Sequence, residues 1–252
     1  MSTQTISYPI FLSTAEFSYL LSLVSATKVL GLEHGRFFPQ TAHEKKMLWR
    51  QGQQELLQNG WLTPYPTGQY HLQTDLLQLV ATIAGALDLT VTRKPQINGP
   101  TQAIYHYWSR KMVIELSQQE SGVTLLPLNR SESIWAIRIR QALNLPAPEH
   151  QADHPIVLSQ QHFRQLKENP QLDLMAQNDI TADLARDFRE TLIDQPASAT
   201  IAHLNIDQTG LDTPDQVTAL FWNQNHLWKV TPTNGMLHFT QTEPAELQAF
   251  AA

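Results

Sequence analysis

Ten histidines in 252 residues invite a search for a metal site. His150 and His154 are four residues apart, the spacing at which two imidazoles on one helix face bind zinc. Three prolines flank this pair, however, and prolines disfavour the regular helix that such a site needs. His43 and Glu44 begin like the zinc motif HExxH, but position 47 is a methionine, so the second histidine is missing. The sequence therefore predicts no metal site and no cofactor.

A row of carboxylates follows a predicted helix over residues 181–193. Its members are Asp183, Asp187, Glu190 and Asp194, with Arg186 and Arg189 between them. Paired carboxylates can act as general acid and base. The opposite face of this helix is apolar, so the row also has the pattern of the solvated face of an amphipathic helix, and we adopt that interpretation. The sequence contains no nucleophile elbow, glycine-rich phosphate loop or EF-hand loop, and it predicts no catalytic residues.

A third candidate site runs from residue 44 to residue 72. A helix that ends in ELLQNGWLT, followed by PYPTGQYHL, is similar to the third helix and β-wing of a winged-helix module. In that fold the helix would present Lys45, Lys46 and Arg50 to DNA. The same succession of helix, Asn-Gly and turn is also a common connection between a helix and a strand. A DNA-binding regulator is therefore kept as the alternative function.

Composition and charge limit the remaining classes of function. The chain has no cysteine, which excludes disulfides, a thiol nucleophile and a zinc ribbon. No apolar run approaches the ~18 residues needed to cross a bilayer, and the N-terminal segment lacks the pattern of a signal peptide. Residues 1–150 hold 12 Lys and Arg against 10 Asp and Glu, whereas residues 151–252 hold 5 against 13. The acidic C-terminal half disfavours nucleic acid as the main partner. These features predict a cytoplasmic protein that does not enter membranes.

Two pairs of segments within the chain are similar to each other in sequence. Residues 9–20 (PIFLSTAEFSYL) and 155–166 (PIVLSQQHFRQL) share Pro, Ile, Leu, Ser, Phe and Leu in the same positions. A second pair of segments ends at Trp108 and Trp222, and each is followed by a turn, a strand, a glycine turn and another strand. Because the two pairs of similar segments occur in the same order, an internal duplication is a better interpretation than chance similarity. It divides the chain into halves at 1–144 and 156–252, joined by a proline-rich linker at 145–155.

The periodicity of apolar residues supplies the elements of each half. Apolar residues spaced by three and four predict a first helix around 17–24 and further helices at 42–59, 74–87 and 181–193. Runs of β-branched and aromatic residues predict strands at 87–93, 102–108, 112–117 and 123–128, and at 199–206, 217–222, 226–231 and 236–240. Each half is thus helices followed by an antiparallel β-meander. The fold class is α+β, with two pseudo-symmetric halves.

This order of parts resembles the EspG family, cytosolic chaperones of type VII secretion systems in actinobacteria. The resemblance is carried by residues 14–92: an opening helix with Glu16 and Leu20, a helix that closes on ELLQNGW (Glu55 to Trp61), the helix at 74–88 and the strand at 89–91. The meanders at 102–143 and 199–252 also look like those of the family. The resemblance implies a protein without catalytic activity that holds a helical secretion substrate in solution.

The resemblance also places the partner contacts. The binding loop of the family would fall at residues 94–101, so we expect contacts at Lys94 and Asn98 and, on the adjoining strand, at Tyr105 and Tyr107. The alternation of Tyr105 and Tyr107 with smaller or polar residues predicts an uncovered face over 102–117. The helices at 42–59 and 74–87 are the other possible origin of an apolar patch. The predicted function is a cytoplasmic, chaperone-like protein that binds a protein partner, possible partners including a small helical secreted protein. An enzyme with scattered site residues is a third hypothesis.

Overall fold

A computed structural model describes residues 7–86, 88–96, 99–146, 155–174, 180–194, 196–206, 214–244 and 246–247, with the backbone alone at 100, 215 and 216. The described residues form two compact units. The first comprises those within 1–90, 103–130 and 205–212, and the second those within 91–102, 131–204 and 213–252. Asn98 and the predicted linker residues 147–154 lie outside the described residues.

The chain up to residue 129 contains four helices and seven strands in its described part. They are β1 (Ile10–Ser13), α1 (Thr14–Leu23), α2 (His34–Phe37), α3 (Ala42–Gln58), β2 (Leu62–Pro64), β3 (Tyr70–Leu72), α4 (Thr74–Ala84), β4 (Asp88–Gln96), β5 (Gly99–Trp108), β6 (Met112–Gln119) and β7 (Gly122–Asn129).

The rest of the chain contains three helices and five strands in its described part. They are α5 (Glu132–Leu143), β8 (Ile156–Ser159), α6 (Gln160–Glu168), α7 (Ala182–Ile193), β9 (Ala197–Asn205), β10 (Pro214–Trp222), β11 (Leu227–Thr233) and β12 (Met236–Gln241). The α+β class predicted from the sequence is confirmed, because helices accompany a large antiparallel sheet.

The strands follow the same order in the two parts of the chain. The first set runs β1-β7-β6-β5-β4, and the second runs β8-β12-β11-β10-β9. Trp108 ends β5 opposite Val113, and Trp222 ends β10 opposite Leu227, so the two tryptophans occupy matching positions. The matching order is the pseudo-symmetry expected for the fold, while its origin in a duplication stays a prediction.

Both outer strands lead directly into a helix capped by serine. The hydroxyl of Ser13 accepts a hydrogen bond from the Glu16 amide at the start of α1, and Ser159 accepts one from the His162 amide at the start of α6. Such caps satisfy a backbone N–H that has no partner within the helix. The strand therefore fixes where each helix begins.

Each unit has its own apolar core. In the first, Phe17 and Leu20 of α1 are fully buried, and the Phe17 ring meets the Phe37 ring edge to face. In the second, Phe188 of α7 packs against Trp228 and Phe239. Among the described helices, none is long and apolar enough to cross a membrane.

Candidate partner-binding site

Lys94 lies on β4 and is engaged within the second unit. Its Nζ donates a hydrogen bond to the Leu143 carbonyl oxygen at 3.3 Å and lies 5.8 Å from the centroid of the Trp222 ring. An ammonium at that distance from an indole makes a cation–π interaction. The charge of Lys94 is therefore used to hold the end of α5 and the end of β10.

Tyr105 is half-buried, and its ring lies against the backbone of Gly31. A Cβ added at Gly31 would come within 2.2 Å of the ring, and Gly31 has a φ of +87°, a conformation that favours glycine. Tyr105 is thus a packing residue with a partly accessible ring, and a role in partner binding stays a prediction.

Tyr107 is a core residue, which corrects the expectation that it lies on a partner face. Its side chain is fully buried, and its hydroxyl donates to the Leu30 carbonyl oxygen at 2.5 Å. Burial raises the pKa of the Tyr107 phenol, so the hydroxyl stays protonated as this hydrogen bond requires. The alternation along β5 predicts which residues share a face, but it does not reveal that both faces are covered.

The neighbouring residues of the sheet confirm that correction. Ile104, His106 and Trp108 of β5 are buried, as are Ile114 and Leu116 of β6. The side chains of His106 and Glu115 meet across the two strands, with 3.3 Å between His106 Nε2 and Glu115 Oε2. The uncovered sheet face expected over 102–117 is therefore absent from the strand residues 104–108 and 113–116, of which Tyr105 alone is half-buried and the others are buried.

Helix α3 carries the exposed surface instead, because only its second half is packed. A Cβ on Gly52 would lie 2.1 Å from the Ala15 carbonyl oxygen, so α3 and α1 approach with their backbones almost in contact. Leu56 is fully buried, and the Asn59 side-chain amide donates to Glu16 Oε1 at 2.8 Å. The Ser13 hydroxyl donates to the Glu55 carboxylate. These contacts anchor the helix at one end.

The first half of α3 is held in helical form by its own cap. Thr41 Oγ1 accepts from the Glu44 amide at 3.1 Å, and Glu44 Oε2 accepts from the Thr41 amide at 3.1 Å. This reciprocal capping box stabilises a helix terminus that has little tertiary packing. The hydrogen bonds from Thr41 also lower the pKa of the Glu44 carboxyl.

The exposed half of α3 presents aromatic and basic side chains together. Tyr19, Lys45, Lys46, Trp49 and Arg50 line an open hollow of about 490 Å³, and we call these five residues the α3 surface. Tyr19 and Trp49 are half-buried, whereas the three basic residues are exposed. Within the described part of the chain, none of the three basic residues forms an ion pair.

Two further features extend this region. Met47 is 55% exposed and lines a hollow of about 450 Å³ with Leu48 and Arg36. Trp49 also lines a hollow of about 350 Å³, together with Leu21 and Phe38. The N-terminal half of α3 thus has concave surface on several sides, which is the shape that accepts side chains from another molecule.

Sequence reasoning found only part of this surface. It singled out Lys45, Lys46 and Arg50 as DNA contacts, and it included the 42–59 helix as a possible source of an apolar patch. It missed Tyr19 and Met47. The run of Met47, Leu48 and Trp49 directly after the charged residues 43–46 is the sequence signal for an apolar patch at this end of the helix.

The chain was compared with known proteins at three levels. No protein-family model matches it, and no curated protein matches it significantly. Among solved structures, it is similar to the Mycobacterium tuberculosis type VII secretion system chaperone EspG5, solved in complex with a PE25-PPE41 dimer. The match has a TM-score of 0.57 at 11% identity, and it covers 96% of this chain and 94% of the other.

The chain has an EspG-like fold. The near-complete coverage of both chains means that the similarity extends over the whole α+β plan and not over one motif. The resemblance stated from residues 14–92 is thereby confirmed for the fold. At 11% identity the match does not carry residue roles over to this chain.

Proposed function

We propose that this protein is a cytoplasmic, chaperone-like protein without catalytic activity, and that it holds a helical protein partner on its α3 surface. The EspG-like fold supports the class of function, since the similar structure is that of a secretion chaperone in a complex with a protein dimer. The observation that carries the proposal is the exposed half of α3, where aromatic, methionine and basic side chains surround open hollows.

The residue types of this surface suit a protein partner. Tryptophan and tyrosine are frequent anchors of interfaces because each buries a large area and has few rotatable bonds. Methionine adapts its shape to different apolar side chains. Trp49 and Tyr19 of the α3 surface, together with Met47 in the neighbouring hollow, can therefore receive the apolar stripe of an amphipathic helix.

The charge of the surface specifies the partner further. Lys45, Lys46 and Arg50 surround Trp49, and they form no ion pair within the described residues. A partner helix with Glu or Asp beside its apolar stripe would meet these charges, which accelerates association and excludes basic helices. We therefore assign the α3 surface to an acidic amphipathic helix.

A peptide titration tests this proposal. The probe is a fluorescein-labelled helical peptide with leucines at helical spacing and glutamates on both flanks, and its control has lysine in place of every glutamate. We expect fluorescence anisotropy to detect binding of the acidic peptide alone. The double variant K45E/K46E should weaken that binding by about tenfold or more, corresponding to about 1.4 kcal/mol. Lys111 is exposed in a turn, so K111E is the control for a single charge reversal outside the α3 surface and should bind like the parent protein.

A second pair of variants separates apolar contact from charge. Met47 and Ile137 are both exposed on helices, at 55% and 53%, so M47S and I137S cost similar packing in the free protein. We expect M47S to lower the affinity for the acidic peptide by about fivefold or more and I137S to leave that affinity unchanged. Equal binding of both peptides, or equal affinity of K45E/K46E and K111E, would overturn the assignment of the α3 surface.

One observation favours the alternative, a winged-helix regulator. The hairpin of β2 and β3 follows α3 directly, with Leu62 opposite Leu72, as a wing would. Anisotropy with a labelled DNA duplex distinguishes the two functions. Duplex binding that falls steeply with salt and is lost in K45E/K46E would replace the protein-binding proposal by DNA recognition. We expect no duplex binding at physiological salt.

A further inference from the structure

The carboxylates of α7 meet a histidine that is distant in sequence. His226 lies in the turn between β10 and β11, with 3.7 Å from its Nε2 to Glu190 Oε2 and 3.8 Å from its Nδ1 to Asp187 Oδ2. One ligand atom from each of the three residues lies within 4.8 Å of the other two. All three residues belong to the second unit. We propose that Asp187, Glu190 and His226 form a binding site for a first-row divalent cation such as zinc.

The donor set selects the class of metal. One imidazole and two carboxylates suit Zn²⁺, Co²⁺ or Mn²⁺, whereas Ca²⁺ and Mg²⁺ prefer oxygen donors throughout. Three protein ligands leave a further coordination position open to water. Ligand atoms of a four-coordinate zinc lie about 3.4 Å apart, which follows from metal–ligand bonds of about 2.1 Å. The 3.7 Å between His226 Nε2 and Glu190 Oε2 requires only a small side-chain rotation to reach this value, and the ligand atoms of the three residues lie within 4.8 Å of one another before any rotation.

Neighbouring groups hold His226 in place. Asn223 Oδ1 accepts a hydrogen bond from the His226 amide at 2.8 Å, which fixes the turn. The side-chain amide of Gln241, which is nearly fully buried, lies 3.2 Å from His226 Nδ1. The atom at this distance is the amide nitrogen, Gln241 Nε2; once the amide turns over so that its oxygen takes that place, the oxygen accepts the Nδ1–H and leaves the Nε2 lone pair for the cation. That arrangement is the usual support of a metal-binding histidine.

The guanidinium of Arg186 competes with the cation for the carboxylates of Asp187 and Glu190. This guanidinium lies 3.7 Å from Asp187 Oδ1 and 3.9 Å from Glu190 Oε1. Each carboxylate therefore turns one oxygen to Arg186 and the other to His226, so the oxygens of the site stay accessible. The Arg186 side chain is 60% exposed and can move into solvent when a cation binds. Its positive charge nevertheless opposes the cation, so removing it should strengthen binding.

Calorimetric titration of the metal-free full chain with Zn²⁺ tests the site. We expect one equivalent to bind, and binding should be about tenfold or more weaker in E190Q and in H226A. The Glu190 side chain is half-exposed, so E190Q preserves folding even where H226A does not. R186Q should bind several-fold more tightly than the parent protein. H43A removes an exposed histidine beside Glu44 and is the matched control, with unchanged affinity.

Thermal unfolding supplies a second measurement. A cation that binds only the folded protein raises the melting temperature, and saturating Zn²⁺ should do so in the parent protein but not in E190Q. Binding of zinc with equal affinity by the parent, E190Q and H226A would overturn the proposal, as would the absence of a one-equivalent isotherm. Either result would leave the cluster as a contact between His226 and the two carboxylates with no role in metal binding.

Discussion

The α1–α3 region of the first unit and the α6–α7 region of the second share a plan but differ in one insertion. Each begins with an outer strand, continues into a serine-capped helix and reaches a further helix, α4 or α7, before the meander. Between the capped helix and α4, the first unit contains α2, α3 and the β2–β3 hairpin. In the second unit, the described residues of 155–194 contain no counterpart of α3 or of the hairpin.

This difference distinguishes the elements that build the core of each unit from the inserted helix that offers a binding surface. The helices that the two regions have in common bury an apolar face in the core of their unit, as Phe17 of α1 and Phe188 of α7 do. The inserted helix α3 is exposed over its first half and carries the aromatic and basic residues of the α3 surface. The first half of the insertion lies outside the core and is therefore free to serve binding.

The junction of α1 and α3 should give the largest effect. A Cβ at Gly52 would lie 2.1 Å from the Ala15 carbonyl oxygen, and backbone cannot move aside cheaply. We expect G52A to lower the free energy of unfolding by about 3 kcal/mol, measured by urea denaturation. Gly35 has nothing within 4 Å of its added Cβ, so G35A should leave stability almost unchanged. Equal stability of the two variants would mean that α3 is not anchored on α1.

The next effect concerns buried hydroxyls that satisfy tryptophans. Trp108 Nε1 donates to Thr90 Oγ1 at 2.9 Å, and Trp228 Nε1 donates to Thr191 Oγ1 at 3.0 Å. The variants T90V and T191V preserve shape but remove the acceptor, so each should cost about 1–3 kcal/mol. Thermal denaturation of both variants compares the two units directly. If one variant melted at the same temperature as the parent protein, the hydrogen bond from tryptophan to threonine would stabilise the other unit alone.

The serine caps should give a smaller effect that differs between the regions. Ser13 takes part in a capping box and also donates to Glu55, whereas Ser159 makes a single capping bond to His162. We expect S159A to cost about 1 kcal/mol and S13A about 2 kcal/mol. Urea denaturation measures both, and a larger loss in S159A would contradict the assignment of Glu55 to the support of α1.

The smallest effect is a pH dependence at the start of α3. The pKa of Glu44 is lowered by its hydrogen bonds to Thr41, so the ionised form stabilises the folded helix. This contribution is present above the unfolded pKa, near the ordinary value of 4.5, and is lost as the pH falls through the folded pKa. The protection factors of the amides from Lys45 to Leu48, which correct for the intrinsic pH dependence of exchange, should therefore fall in acid, and E44Q should remove that dependence. Helix α7 has Leu184 at the corresponding position and no capping box, so its first turn serves as the internal control.

Much of the fold was predictable from the sequence because its elements are locally encoded. The strands predicted at 112–117 and 123–128 agree with β6 and β7 to within two residues, and α3 was predicted to within one. Alternating β-branched residues and helical apolar stripes carry that information without reference to the rest of the chain. The four-residue helix α2 was missed, since one turn has no periodicity to detect.

The candidate sites were predicted less well for a physical reason. Tyr107 was assigned to a partner face because its strand alternates, yet burial depends on what packs against both faces of the sheet. His226 lies 36 residues after Glu190, so no spacing rule connects it to the carboxylates of α7. The α3 surface depends on how far the helix extends beyond its packed half, which is a property of tertiary structure alone.

The burial of the tryptophans gives the protein a built-in optical reporter. Trp108, Trp135, Trp222 and Trp228 are buried, whereas Trp49 and Trp61 are half-buried. In a W61F background, solvent-sensitive fluorescence comes from Trp49 alone, at the centre of the α3 surface. When the apolar stripe of the partner helix covers the Trp49 indole, water leaves the ring. The fluorescence emission of Trp49 then moves to shorter wavelength. Occupancy of the surface can then be followed in unlabelled protein, with the quenching of Trp49 by a soluble quencher as a direct measure of how completely the helix covers it.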